Sequence, residues 1–183
     1  LTASEVVNTH GRLGLNSIDV KTPQGLRQIQ VSALGVSGGW NPNIHLTCHQ
    51  RGRPEWDAAL VAFVPSADLP KALHVAGAAN GKMTTAAAMQ DAVTTAMKIA
   101  RDCGRKPKSL AIPKTSDESA SITPFWYVTG TERGWVDQQN DVTVKDIKLA
   151  HQENFRSVEH LKRYTTLGMA TDQGKTSNVL GLA

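Results

Sequence analysis

The chain has 183 residues, 40% of them hydrophobic, with 20 Lys and Arg against 16 Asp and Glu and a formal net charge of +4. The apolar fraction suffices for one ordinary domain or two small ones, and scattered basic residues with only 5% aromatics do not indicate a nucleic-acid surface. No run approaches the roughly 20 apolar residues that span a bilayer, the first residues lack the basic leader and apolar run of a signal peptide, and Cys48 and Cys103 make neither a disulfide framework nor a four-ligand zinc set.

Two free thiols and a cytoplasmic location are therefore expected. A start at Leu1 and an end at the apolar Gly181-Leu182-Ala183 lead to the expectation of a piece of a longer protein.

Residues 4–36 read as a small β-meander, with EVVNTH, SIDVK and QIQVSALGVS separated by turn signals at residues 10–12 and 22–25. Gly38, Gly39 and Pro42 then predict a sharp turn. Scattered apolar positions over residues 54–64 end at SADLP, and ALHVAGA (residues 72–78) reads as an apolar strand. Next, Ala86, Met89, Val93, Ala96, Met97 and Ala100 fall on one helical stripe, with threonines before it and Gly104 behind it. Strand, glycine turn and helix together offer free N–H groups and a dipole to a phosphate, although a plain βα unit carries the same pattern.

Residues 105–123 are polar, interrupted by proline and without period, which predicts a linker. PFWYV and GWVDQ are strand-like, and Thr143 with Asp146 has the spacing of a capping box at a helix start. Ser157 caps a further helix running to about Leu167, Gly168 is placed to end it, and residues 168–178 form a loop before a third short helix.

That loop contains Gly174-Lys175-Thr176, the tail of a nucleotide phosphate loop. The required glycine five places earlier is Met169, and the preceding pattern is helical where the loop needs a buried strand, so ATP binding is not expected. His45, Cys48 and His49 lie close together, but no second cluster completes a tetrahedral metal set. The density of Lys162, Arg163, Thr165, Thr166, Lys175, Thr176 and Ser177 fits either a phosphate grip or a solvated basic face.

Longer strings carry more information. VDQQNDVTVKDIKLAHQENFRSVEHLKRYTTLGMATDQGKTSN, VSGGWNPNIHLTCHQRGRPEWDAALVAFVP and VAGAANG together resemble the alpha subunit of heterotetrameric sarcosine oxidases over essentially the whole chain. The resemblance implies an α/β fold. Residues 1–112 would be the C-terminal part of a pyridine-nucleotide reductase-like dinucleotide-binding domain, residues 113–134 a linker with short strands, and residues 135–183 a small helical domain like bacterioferritin-associated ferredoxin without its cluster. Relatives of the first domain carry Gly-Asp where this chain reads Gly77-Ala78, so the carboxylate that would hold a flavin ribityl hydroxyl is missing. The implied cofactor here is NAD, with Gly77, Ala78, Met83 and Thr85 as its contacts.

Cluster-bearing relatives, including opine oxidase-type enzymes, carry C-x-C before Val-Thr and a second cysteine pair after Gly-Met-Gly. Here the first pair falls on Asp137 and Gln139, and the second begins at Asp172 and ends at Lys175 or Ser177. None is cysteine, which excludes thiolate ligation at this site, and hydrogen bonds and salt bridges around Asp172, Lys175 and Ser177 are expected to hold the loops instead. The family oxidises sarcosine at an FAD of the beta subunit and passes electrons to an FMN held covalently by that subunit near its border with alpha. Lys162, Arg163, Thr165, Thr166, Lys175 and Thr176 are expected to face that FMN phosphate.

The resemblance thus implies a part, inactive alone, of a complex with beta, gamma and delta subunits that demethylates sarcosine to glycine with oxygen and tetrahydrofolate, yielding hydrogen peroxide; no nucleic acid and no membrane enter. The alternatives are the alpha subunit of an opine or other secondary amine oxidase, and a non-catalytic subunit-assembly module. Iron and labile-sulfide assays on protein expressed with ample iron should find neither, whereas stoichiometric amounts of both would overturn the expectation for residues 135–183.

Overall fold

β-branched residues spaced by two set the first elements. Strands β1 (Glu5–His10), β2 (Ser17–Thr22) and β3 (Gly25–Gln30) form an antiparallel sheet in the order β1-β2-β3. In the central strand Ile18 and Val20 are buried, while Asp19 between them points to the opposite face. There its carboxylate meets His10 Nε2 at 2.7 Å and accepts from Gln28 Nε2 at 3.2 Å. The apolar run after β3, which the sequence assigned to the third strand, does not extend the sheet. Val31 N–H still donates to Asn16 O at 3.1 Å, but residues 33–44 carry no assigned secondary structure.

The structure, a computed structural model, describes all residues except Gln50, Ser109, Asp117, Glu118, residues 130–132 and Asp172. It divides into two units: Gly38–Pro124, and Leu1–Ser37 with Phe125–Ala183. The sequence-based boundaries lay at residues 112 and 134.

Each unit contains a hairpin of the same design. In Gly38–Pro124, β4 (Glu55–Asp57) pairs with β5 (Ala62–Val64); in the other unit, β6 (Trp135–Asp137) pairs with β7 (Val142–Thr143). In both, the first strand ends on an aspartate whose Oδ1 accepts the N–H groups two and three residues on. Asp57 receives Ala59 N–H at 2.9 Å and Leu60 N–H at 3.0 Å, and Asp137 receives Gln139 N–H at 2.9 Å and Asn140 N–H at 3.2 Å. This Asx turn replaces the backbone's own turn bonds. Each loop then closes through a left-handed residue, Val61 at φ 52° and Asp141 at φ 56°.

The Gly38–Pro124 unit also holds the short helix α1 (His45–Cys48), a 3-10 turn at Gly77–Asn80 and helix α2 (Thr85–Asp102). Helix α2 fulfils its sequence signals. Thr84 Oγ1 accepts Ala87 N–H at 3.2 Å, and at the other end Gly104 N–H donates to Arg101 O and Arg105 N–H to Ala100 O, both at 2.8 Å, the paired bonds of a Schellman motif. Its predicted stripe is half-buried except at Ala96, which is exposed. ALHVAGA, predicted to be a strand, is a correction: Ala76 is extended at φ −143° and ψ 160°, but residues 73–76 belong to no sheet and Gly77 already opens the 3-10 turn. An extended apolar segment becomes a strand only beside another strand, and among the described residues none pairs with it.

In Phe125–Ala183, helices α3 (Val144–Gln152), α4 (Val158–Thr165) and α5 (Asn178–Leu182) follow β7. Val136, Val142 and Leu167 form the buried core, packed by Val144, Ile147, Leu161 and Leu180. Helix α3 starts where the sequence placed it. Asp146 Oδ2 accepts both Thr143 N–H at 2.7 Å and Thr143 Oγ1–H at 2.6 Å, and these bonds, the hydroxyl one first, hold the Asp146 carboxyl below its ordinary pKa. Helix α4 stops at Thr165 rather than near Leu167. Thr166 takes φ 64° and the Thr165 hydroxyl accepts Leu167 N–H at 3.2 Å, so the chain turns and Leu167 enters the core at 3% exposure. Replacing the capping carboxylate, Asp146→Ala, should cost about 1 kcal/mol, read as a lower urea midpoint at unchanged slope; an unchanged midpoint would show the cap to be dispensable.

Candidate functional site

The turn before α2 is the first candidate. Gly77 opens it at φ 68°, but its N–H donates to Asp91 Oδ2 at 2.9 Å, and Asn80 Nδ2 donates to the same oxygen at 3.2 Å. A carboxylate on the helix therefore already occupies the donor that the sequence offered to a phosphate. Ala78 and Met83 instead line an open cavity of about 470 Å³, together with Trp40, Asn41, Ser121 and Ile122. Gly77 and Thr85 do not line it. The volume lies in the range of roughly 300–1,000 Å³ common to ligand pockets, and the lining fits part of a dinucleotide better than its charged centre. Sequence reading took Trp40 only as part of a turn; a tryptophan between Gly39 and Asn41 in a loop was the available signal.

The second candidate is the basic, hydroxyl-rich group around the α4–α5 loop. Thr165 Oγ1 donates to Leu161 O at 2.8 Å, and Thr166 Oγ1 donates to Thr165 O, so both hydroxyls serve the helix end. Lys162 lies on a cavity of about 460 Å³ with Ile147, Lys148, His151, Phe155 and Arg156. Arg163, Thr165, Thr166, Lys175 and Thr176 do not line it. The structure thus joins Lys162 to Lys148, Arg156 and the acidic Glu159, which sequence reading had passed over. Lys148 and His151 are three apart on α3, a spacing that puts two side chains on one face.

The third candidate is the pair Asp137, at the end of β6, and Ser177, just before α5, two of the positions expected from the resemblance to stand in for cluster ligands. Asp137 is only 4% exposed and Ser177 1%. Besides the turn N–H groups on Oδ1, Asp137 Oδ2 accepts Gly168 N–H at 2.8 Å, Asn140 Nδ2–H at 3.1 Å and Ser177 Oγ–H at 3.5 Å. One carboxylate thereby ties the β6–β7 hairpin to both ends of the α4–α5 loop. That loop is dense: a side-chain carbon at Gly168 or Gly174 would collide with the Asn178 amide, and both glycines have left-handed φ, 67° and 76°. The expected salt bridge between Asp172 and Lys175 falls on Asp172, outside the described residues, and Lys175 is exposed.

A two-iron, two-sulfur centre does not fit these residues. Carboxylate, amide and hydroxyl oxygens lack the softness it needs, the Asp137 oxygens are taken up by loop donors, and both cysteines belong to the other unit. Among the described residues no three His, Cys, Asp or Glu side chains gather as a metal site, and no helix is long and apolar enough to cross a membrane.

Burial pushes the Asp137 carboxyl up, but the N–H donors from Gly168, Asn140 and Gln139 together outweigh it and hold its pKa below the ordinary value. The sign follows: Asp137 contributes its full stability above the unfolded carboxylate pKa of about 3.9 and loses it as pH falls through the lowered folded value. Asp137→Ala leaves several buried donors unpaired, each costing about 1–3 kcal/mol, and should lower stability by about 3 kcal/mol at pH 7. The gap to wild type should hold above about pH 5 and narrow below about pH 4; a gap that widens in acid would contradict the assignment.

Residues 131–183 match the family model of the sarcosine oxidase A3 domain. The chain is 41% identical over 177 residues, 95% of its length, to the sarcosine oxidase subunit alpha of Rhizobium meliloti (strain 1021), of which it covers 18%. It is 34% identical over 203 aligned positions, spanning all of this chain, to that of Corynebacterium sp. (strain U-96), of which it covers 20%. The chain thus spans about one fifth of the length of these relatives. Among solved structures, the L-proline dehydrogenase from P. horikoshii shares the mixed α/β fold at a TM-score of 0.60 and 17% identity, over 96% of this chain and 38% of that one. By sequence, this chain belongs with a stretch of the sarcosine oxidase alpha subunits, its residues 131–183 falling in their A3 domain.

Proposed function

We propose that the chain is the NAD-holding and partner-facing part of a sarcosine oxidase alpha subunit. The observation that carries this reading is 41% identity to such a subunit along 95% of the chain. In the complex formed with beta, gamma and delta subunits, sarcosine is demethylated to glycine with oxygen and tetrahydrofolate, and hydrogen peroxide is released. No residue of this chain is assigned a chemical step. Gly38–Pro124 closes a dinucleotide-binding domain and holds NAD through the cavity that Ala78 and Met83 line. Residues 135–183 retain the small helical fold of bacterioferritin-associated ferredoxin, with the Asp137 hydrogen bonds in place of a cluster.

The basic groups of this second region serve the FMN that the beta subunit binds. Lys162, flanked by Lys148 and Arg156 at one cavity, supplies positive charge toward the phosphate; Arg163 and Lys175 add charge and Thr176 a hydroxyl, and Thr165 and Thr166 shape the helix end. FAD is bound by the beta subunit and not by this chain, since Gly77-Ala78 lacks the carboxylate for a flavin ribityl group. The non-thiolate residues at Asp137 and Ser177 favour the sarcosine oxidase reading over the opine oxidase one, because opine oxidase-type enzymes usually keep the cluster cysteines.

The assembled enzyme should oxidise sarcosine in preference to opines and release NAD on acid treatment; oxidation of opines alone, or acid extracts without NAD, would overturn the reading. Lys162→Ala and Lys175→Ala should lower the fraction of beta subunits that carry covalent FMN at unchanged thermal midpoint. A lowered midpoint with full FMN would instead assign these lysines to internal support.

A further inference from the structure

The cavity beside α2 is chemically one-sided. Among the described residues its lining carries no charged side chain: Trp40, Asn41, Met83, Ser121 and Ile122 give aromatic, amide, thioether, hydroxyl and aliphatic groups. A pyrophosphate needs cations or free N–H donors. At the nearest helix start Gly77 N–H is held by the Asp91 carboxylate and Thr84 caps Ala87 N–H, while Lys82 of that turn is exposed and does not line the cavity. A planar, uncharged heterocycle meets the opposite conditions, namely apolar faces and an edge that exchanges hydrogen bonds with an amide.

Trp40 is the residue best suited to such a ring. It is 85% exposed although it lines the cavity, an unusual state for the largest apolar side chain. Its place in space is nonetheless fixed. Pro42 and Ile44 just after it are buried, and Ile44 O accepts Thr47 N–H at 3.0 Å and Thr47 Oγ1–H at 2.6 Å. On its other side Gly39, at φ 87°, passes so close to Ile122 that a side-chain carbon would lie 3.1 Å from Ile122 Cδ1. The loop that carries Trp40 and Asn41 is thus anchored at both flanks.

Resting on the NAD reading above, we propose that this cavity takes the uncharged ring of the dinucleotide, adenine or the carboxamide-bearing ring in its reduced form, stacked on Trp40 and held at its edge by Asn41. The phosphates lie away from the α2 start. Trp40 and Asn41 are then the residues that set ring binding, and Gly77 serves the turn.

The test uses the assembled enzyme, with bound NAD removed, as wild type, Trp40→Ala, Trp40→Phe and Asn41→Ala. Adenosine, nicotinamide and inorganic pyrophosphate are titrated separately by calorimetry. One ring probe should bind wild type, weaken about tenfold or more with Trp40→Ala, as loss of base–aromatic stacking does, and recover with Trp40→Phe; pyrophosphate should respond equally to wild type and Trp40→Ala. Which ring binds tells adenine from nicotinamide. Ring binding unchanged by Trp40→Ala, or neither ring binding wild type, would overturn the proposal. Wild-type enzyme that binds a ring probe yet contains no NAD as isolated would sink the dinucleotide reading while sustaining the ring site, so the two failures are distinguishable.

Discussion

A single buried carboxylate organises the C-terminal region. Asp137 faces strong desolvation, since an ionised group out of water is costly unless hydrogen bonds replace its shell. Here the replacement comes from both sides of the structure: two N–H groups of its own turn on one oxygen, and Gly168 N–H with the Asn140 amide on the other. Because the Gly168 donor lies 31 residues along the chain from Asp137, that bond is a tertiary one. Removing it frees the hairpin from the α4–α5 loop, and with the loop goes the position of Leu167 in the core.

The α4–α5 loop itself is held without a metal ligand set. An acceptor, Asp137, and a hydroxyl donor, Ser177, meet there at 3.5 Å. Glycines at 168 and 174 leave room for Asn178 to fill the interior. A hydrogen-bonded side chain and close packing thus hold the loop. The neighbouring cavity brings Lys148, Arg156 and Lys162 together with Glu159 and apolar residues of α3–α5.

Elements defined by local chemistry were legible in the sequence. The Thr143–Asp146 box, the Thr84 cap and the Gly104 stop each act within a few residues, and helices α2 and α3 begin or end where those residues put them. The meander was legible through β-branched alternation. ALHVAGA was misread because a strand exists only with a neighbour, which no local pattern can supply. Helix α4 ends early because Thr166 adopts a left-handed conformation that glycine usually takes. Bonds around Asp172, Lys175 and Ser177 were expected to hold the loop; among the described residues Asp137 accepts from Gly168 and Ser177, and Asp172 lies outside them. The Asx turn that aims Asp137 depends on side-chain geometry shared by WDAAL and WVDQQN, a likeness visible only once both hairpins are seen. Of the site residues, Ala78 and Met83 reach one cavity and Lys162 another, while Trp40 and Lys148 went unread because binding walls draw on residues distant in sequence.

The central claim is that Asp137 couples hairpin and loop into one unit. Native-state hydrogen exchange at the backbone amides of Gly168, Gln139 and Asn140 tests it most directly, in wild type and Asp137→Ala. In wild type the three amides should be protected with a common opening free energy, and Gly168 should lose protection together with the two turn amides when the carboxylate is removed. A Gly168 amide that exchanges freely in wild type, or one that stays protected in Asp137→Ala, would contradict it.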